Sequence, residues 1–405
     1  MGIFIVPFFS PFSSEEMQKN VLKQFEIKNI RIKHPLDYLN QQLELQDHLL
    51  YLFVGTGGTE KDIVSFVNQL NLISPISLLS YDLNNSLPAA MEVREYLQDL
   101  GRKVRIEHGF SNFLENIKYF DIVLDKIRNS RMGLIGKSSE WLIASQVDEE
   151  KMKKHWGIEI IHIPIEELIA GINVNQGDLG NNGKNFLAQS SECEVGEEDI
   201  RKAELALKAI ETIVKKYHLD VVSVECFTFV VKTEITSCFA LSYLNDQGLI
   251  AGCEGDMPTT FTMFLVNKVI QKPVFMSNVV DVDIKTNHVN LAHCTVPRTM
   301  VENYNIKTHF ETDKSVAIQG FFSPQQEVTV VKIGGSDLSK WWVSEGRIVR
   351  NVTNESACRT QIEIELEDPV DYFFERSIAN HHCVVLGHHA EELQDFLKFT
   401  IGKQR

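Results

Sequence analysis

Between Ala251 and Leu291 the sequence gathers more groups able to do chemistry than anywhere else along the chain. It opens Ala-Gly-Cys-Glu-Gly-Asp-Met-Pro, which sets Glu254 and Asp256 between Gly252, Gly255 and Pro258. Backbone so rich in glycine bends sharply and lets another group approach a carboxylate closely. Thr259 to Ile270 is apolar on nearly every side, the pattern of a helix buried in a large domain. Lys272-Pro273 follow, then Val274-Phe275-Met276 and Asn278 to Asp283, a buried strand that ends in carboxylates. A strand, a Gly-rich turn carrying Glu254, a helix and a second strand ending at Asp281 make a βαβ unit, whose parallel strands end on one edge of the sheet. Glu254 and Asp281 are therefore expected side by side, and two close carboxylates repel unless a cation sits between them or one keeps its proton. His293, in Leu-Ala-His-Cys, adds a nitrogen donor. Taken singly, Glu254 would serve as a helix cap and the Asp residues as turn formers. Taken together, the three favour a metal site.

Cys253-Glu254-Gly255-Asp256, the spacing to Asp281, Leu291-Ala292-His293-Cys294 and a late Ala379-Asn380-His381-His382 resemble the L-fucose isomerase and L-arabinose isomerase superfamily. The likeness is closest to its shorter fucose-isomerase-like members, and it is specific from about Lys232 onward. It implies a metal-dependent intramolecular oxidoreductase that interconverts an aldose and a ketose. The divalent ion, Mn2+ or another such as Mg2+ or Co2+, would be held by Glu254, Asp281 and a late histidine. His381 matches that histidine, with His382 as the competing register, and His293 matches the additional histidine of arabinose isomerases. The resemblance also implies a homo-oligomer, a trimer or hexamer, with the active site at a subunit interface. The chain is much shorter than full-length fucose isomerases and carries Asp281 where arabinose isomerases have a second Glu, so the identity of the sugar stays open.

The C2 proton of an open-chain aldose is only weakly acidic, and a divalent cation on O1 and O2 would stabilise the enediolate as a Lewis acid. Glu254 and Asp281, on opposite sides of the sugar, would then move the proton between C2 and C1. Two further residues are candidate substrate contacts. Lys232 either touches substrate or is solvated; Trp141 either stacks on a sugar face or packs as a structural indole. The same ligands would serve an aldolase or an epimerase, and a non-catalytic sugar-binding protein is the remaining alternative. An acidic chain with no phosphate-binding cluster favours an unphosphorylated sugar.

Composition sets the outer bounds. At 405 residues, 43% hydrophobic and 23% charged, the chain is that of a globular protein of two or three domains with a large core. A formal net charge of −15 argues against nucleic acid or an anionic membrane surface as partner. The cysteines are odd in number and scattered without a CxxC pair, the usage of a reducing cytoplasm. The apolar start, Ile-Phe-Ile-Val-Pro-Phe-Phe, has no basic residue before it and is expected to be a first strand, not a signal peptide. No apolar run reaches the ~18 residues of a membrane span.

Strands and helices alternate up to residue 286, which predicts doubly wound parallel-sheet domains over 1–129 and 130–286. From residue 287 strands alone follow, which predicts a small antiparallel β-barrel-like domain over 287–405, closed by a helix from Glu391 to Phe399. His381-His382 and His388-His389 flank its last strand and strengthen the metal reading. In the first domain the strand Leu49 to Val54 runs into Gly55-Thr56-Gly57-Gly58. That spacing lacks the third Gly of a dinucleotide fingerprint and the Gly-Lys-Ser/Thr of a P-loop, so a structural turn or a sugar-contacting loop is expected there. Residues 173–194, rich in Asn and Gly, read as a linker, with a lid as the lesser option.

Overall fold

Short runs such as Leu-Tyr-Leu-Phe-Val and Val-Val-Ser-Val are apolar on both faces, so they need cover on both sides, and they lie within two parallel sheets. The computed structural model describes residues 4–27, 30–41, 50–70, 76–102, 104–109, 111–174 and 178–401. Ile3, Leu49, Lys103 and residues 175–177, which fall in the expected strands and loop, lie outside the described residues. Two compact units make up the chain, Met1–Lys126 with Asp395–Arg405, and Ile127–Gln394.

In the first unit, strands β1 (Phe4–Phe8), β2 (Arg31–Ile32), β3 (Leu50–Val54), β4 (Ile76–Ser80) and β5 (Val104–His108) form a parallel sheet in the order β2-β1-β3-β4-β5. The order reverses between β1 and β3, where sheets of this kind bind ligands. Here the turn after β3 is tightly packed. A Cβ on Gly55 would lie 2.2 Å from the Phe9 ring, and one on Gly57 would lie 2.9 Å from the Cβ of Asn85. The Gly57 N–H donates to the Asn84 carbonyl at 2.8 Å, so these glycines serve close approach of backbone.

The second unit holds β6 (Arg131–Ile135), β7 (Glu159–Ile163), β8 (Glu192–Cys193), β9 (Val221–Val224) and β10 (Ile250–Gly252). Of these, β10-β9-β6-β7 form a parallel sheet. The chain continues through β11 (Phe275–Asp283), β12 (His288–His293), β13 (Asn303–Lys307), β14 (Ala317–Phe321), β15 (Glu327–Gly334), β16 (Lys340–Asn351), β17 (Thr360–Leu366) and β18 (His382–Leu386). Six of them close an antiparallel barrel in the order β11-β12-β17-β16-β15-β18, and β14-β13-β8 make a small separate sheet. The fold is thus α/β with parallel sheets followed by an antiparallel barrel, as the sequence indicates.

The helix Met257–Ile270 is the spine of this unit. It packs against β9 and β10 of the parallel sheet and against β11, β15 and β18 of the barrel, which is why it has no polar face. Burying Phe261, Phe264 and Leu265 contributes about 1.5–3 kcal/mol each. Its threonines bond within the helix, Thr260 Oγ1 to the Asp256 carbonyl at 2.7 Å and Thr262 Oγ1 to the Pro258 carbonyl at 2.8 Å. Asp256 caps it, accepting from the Thr259 N–H at 2.9 Å.

Two expectations change. β11 is not the parallel neighbour of β10: it pairs antiparallel with β12 and β18 inside the barrel, so no βαβ unit carries Glu254 and Asp281 to a common edge. The spine helix packs on both layers, and the unit Ile127–Gln394 contains them both. The described part of the expected linker also carries regular structure, the helix Asn181–Gln189 and β8. Among the described residues no helix is long and apolar enough to cross a membrane.

Candidate metal centre

The carboxyl ends of β6, β9 and β10 share one edge of the parallel sheet, and Glu254 stands just beyond β10. Its φ of 60° and the φ of 62° at Gly255 turn the chain sharply out of the strand. A left-handed non-glycine residue costs on the order of 1–3 kcal/mol and persists only where its surroundings hold it. They do so here: the Ser139 N–H donates to the Glu254 carbonyl at 3.0 Å and the Gly255 N–H to the Val224 carbonyl at 2.9 Å. Residue 255 must be glycine, because a Cβ there would sit 2.3 Å from the Lys137 carbonyl oxygen.

Two imidazoles meet this carboxylate. His293 ends β12, with its Nδ1 3.1 Å from Thr295 Oγ1. His381 precedes β18, after a left-handed turn at Ala379, and its Nδ1 lies 2.8 Å from Asp256 Oδ2. These contacts turn both Nε2 atoms toward Glu254, whose Oε1 is 3.5 Å from His381 and 3.8 Å from His293. Both Nε2 atoms are buried and neither has a hydrogen-bond partner. Donors about 2.0–2.2 Å from one ion stand roughly 3.0–3.5 Å from each other, so the Glu254 oxygen is close to that spacing from each imidazole, and all three ligand atoms lie within 4.8 Å of one another. The Trp141 Nε1–H donates to the other Glu254 oxygen at 3.0 Å and fixes the carboxylate plane. Glu254, His293 and His381 form a buried group able to hold a metal ion.

The charges fit that role. Burial raises the Glu254 carboxyl, but the adjacent His381 and His293 and the Trp141 N–H outweigh it and bring it down to about 2. Burial also raises Asp256, and the Lys332 ammonium, His381 and the Thr259 N–H more than offset it, leaving the carboxyl well below its ordinary range. Burial alone would strip His381 of its proton, yet Asp256 and Glu254 push it up to about 9. His293, buried beside His381, falls to about 4 and offers a free lone pair. Behind Asp256 a relay continues inward, with Thr259 Oγ1 donating to Asp256 Oδ2 at 2.8 Å and the buried Lys332 Nζ donating to Thr259 Oγ1 at 2.6 Å.

A cavity of about 410 Å³ opens onto the group. Trp141, Phe227, Asn278, His309, Glu311 and Asn380 contribute to its wall. Trp141, placed among the substrate contacts by sequence, therefore does line the site, packed edge-on against Phe227.

Asp281 and Lys232 do not join them. Asp281 lies on the exposed part of β11, where its Oδ1 accepts from the Val282 N–H at 2.9 Å, because the strand runs in the barrel and not beside β10. Lys232 pairs with Glu166 at 2.9 Å on the surface. His382 is excluded as a ligand. Its Nδ1 lies 2.7 Å from the Asn380 carbonyl and its Nε2 3.1 Å from Tyr372 Oη, among the rings of Trp342, Tyr372 and Phe373. The second carboxylate is instead Asp256, two residues after Glu254, acting on His381 rather than on the ion. By sequence the cap falls to Glu254 and Asp256 is a turn former; in the structure Asp256 is the cap, and its pairing with His381 had no signal in the sequence. His309 and Glu311 had no signal beyond lying in a turn after β13. No protein-family model and no curated protein sequence matches the chain.

Proposed function

We propose that the protein is a metal-dependent aldose–ketose isomerase acting on an unphosphorylated sugar, with Glu254, His293 and His381 holding Mn2+ or a similar divalent ion. The observation that carries the reading is the pair of buried, unpartnered Nε2 atoms aimed at one ionised carboxylate on the wall of a cavity of small-molecule size. When bound, a divalent ion supplies Lewis acidity toward two neighbouring sugar oxygens and lowers the cost of an enediolate. The protein's own groups do the rest. Asn278, Asn380 and Ser237 offer hydrogen bonds to hydroxyls, and Trp141 with Phe227 offers apolar ring surface to C–H groups. The proton between C2 and C1 needs a carrier other than Asp281. Glu311, on the cavity wall, is the candidate carrier, its carboxyl raised above its ordinary value by burial and the negative charge of Glu254.

A donor set of two imidazoles and one carboxylate also suits zinc hydrolases, which gives a second reading in which the same cavity holds a hydrolysable substrate. One experiment separates the two. Pentoses, hexoses and 6-deoxyhexoses are incubated with the Mn2+-loaded protein in deuterium oxide and followed by NMR. Ketose formation with deuterium at C1 of the ketose and at C2 of the recovered aldose, lost in Glu254→Gln, is the expected result. A protein that binds Mn2+ yet exchanges no C2 proton of any aldose is not an isomerase of this kind.

A further inference from the structure

Besides its metal-binding group, the cavity wall carries Cys226, Cys238, Cys253, Cys294 and Cys358, all as free thiols. Two of them touch: Cys253 Sγ lies 3.0 Å from Cys226 Sγ. The topology brings them together. β9 and β10 are adjacent parallel strands with Gly252 opposite Ser223. Cys253 follows β10 directly, and Cys226 opens the helix Cys226–Thr233 just beyond β9. Carried forward, that register sets Cys253 opposite Val224, and the turn from β9 into the helix brings the Cys226 sulfur against it. The sulfurs need to approach by roughly 1 Å to reach a bond length of about 2.05 Å. Both residues are almost fully buried from bulk solvent, 7% and 4% exposed, so the cavity is the route by which a small reagent reaches them.

We propose that Cys226 and Cys253 form a reversible redox site, closed to a disulfide by a low-molecular-weight disulfide entering the cavity, and that closure takes Glu254 out of its metal-binding position. One protein thiolate attacks the small disulfide RSSR, forming a mixed disulfide and releasing RS⁻. The second cysteine then attacks the protein-side sulfur, its thiol proton leaves, and a second RS⁻ departs. In sum, two protein thiols and RSSR give one protein disulfide and two RSH, with two electrons passing from protein to reagent. An excess of a thiol reductant reverses it.

The effect on the metal follows from chain geometry. Cys253 is covalently next to Glu254, and Glu254 is held in a left-handed conformation by the Ser139 N–H and the Trp141 indole. A pull on residue 253 of about 1 Å is half the length of a metal–oxygen bond of roughly 2.1 Å, enough to break the convergence with His293 and His381. Bond formation is independent of the metal reading; only its consequence rests on that reading.

The test uses the full chain, reduced or incubated with bis(2-hydroxyethyl) disulfide. Peptide mapping by mass spectrometry reads the linkage, and calorimetry with Mn2+ reads the centre. The expected result is a Cys226–Cys253 peptide, absent from Cys226→Ser and Cys226→Ala, together with at least a tenfold loss of Mn2+ affinity restored by dithiothreitol. Cys294 and Cys358 pack together nearby, so a linkage between those two in place of 226–253 overturns the assignment. Only mixed disulfides at Cys226 or Cys253 overturn it equally, as does a 226–253 bond that leaves Mn2+ affinity unchanged. If the reduced protein binds no Mn2+ while the 226–253 bond forms and reopens, the metal reading fails and the dithiol site stands.

Discussion

His381 stands between two carboxylates with different tasks. Glu254 lies 3.5 Å from its Nε2, whereas Asp256 grips the opposite nitrogen at 2.8 Å and sets the ring's tautomer and direction. Asp256→Asn should therefore lower Mn2+ affinity by about 10–100-fold by calorimetry, while Asp281→Asn leaves it unchanged; equal losses would restore Asp281 to the centre. The proton on His381 gives a second prediction. In the metal-free protein this imidazole is pushed up to about 9, whereas Glu254 at about 2 and His293 at about 4 are already in their ligating forms. Binding near pH 7 must then displace one proton, so affinity rises roughly tenfold per pH unit from about pH 6 to about pH 9 and levels off above. A flat profile, or a slope of two, would contradict this assignment of charges. The residue types were legible from the sequence: Glu254, His293 and His381 were all singled out. What pattern could not show was that Asp256 and not Asp281 is the partner carboxylate, because that depends on which layer receives β11.

Elements decide how firmly those side chains are aimed. The turn at 253–255 allows no Cβ at residue 255, so Gly255→Ala must move the Lys137 backbone or abandon φ 62°. A stability loss of about 1–3 kcal/mol in urea unfolding, together with loss of Mn2+ binding, is expected, and a silent substitution would mean the turn is not what positions Glu254. Within the barrel His382 is held neutral. The Ile378 N–H donates to Tyr372 Oη, whose own hydrogen points to His382 Nε2, and the Nδ1–H donates to the Asn380 carbonyl. Burial and the Lys332 ammonium bring this imidazole down to about 3. A histidine lowered from 6.5 in the unfolded chain contributes stability that is complete above pH 6.5 and is lost as pH falls toward the folded value. His293, at about 4, acts in the same direction. Between pH 6.5 and 5 the metal-free protein should lose about 1.4 kcal/mol per pH unit for each of the two. His382→Gln, which keeps a donor and an acceptor, should about halve that slope in urea titrations at several pH values. The barrel strands were legible because alternation such as Gln-Ile-Glu-Ile-Glu-Leu at 361–366 has one facing, and β12 and β17 lie where the pattern puts them. β11 was assigned to the wrong sheet because a buried apolar run is the same in a parallel strand as in a barrel, and its partners come from residues 288–292 and 382–384.

At the scale of the whole molecule, every residue of the centre belongs to the unit Ile127–Gln394, and none to Met1–Lys126 or Asp395–Arg405. The alternation of strands and helices made the two parallel sheets legible, since their short apolar strands are separated by helical segments. It could not show that the spine helix Met257–Ile270, packed on sheet and barrel alike, binds those two layers into one body. Glu254 and Asp256 precede that helix, His293 comes from the barrel, and His381 sits at the start of a barrel strand, so a metal held by them ties both layers together. A ligand that binds only the folded state at 100 times its dissociation constant adds about 2.7 kcal/mol to the unit that holds it. For a unit of this size that is roughly 5–10 °C in Tm. Scanning calorimetry should accordingly resolve two transitions, of which Mn2+ raises the one belonging to residues 127–394 and leaves the other in place. His381→Ala should abolish the shift. A rise in both transitions together, or a split of the 127–394 transition into separate sheet and barrel events, would mean that the metal does not act on a single body joined by the spine helix.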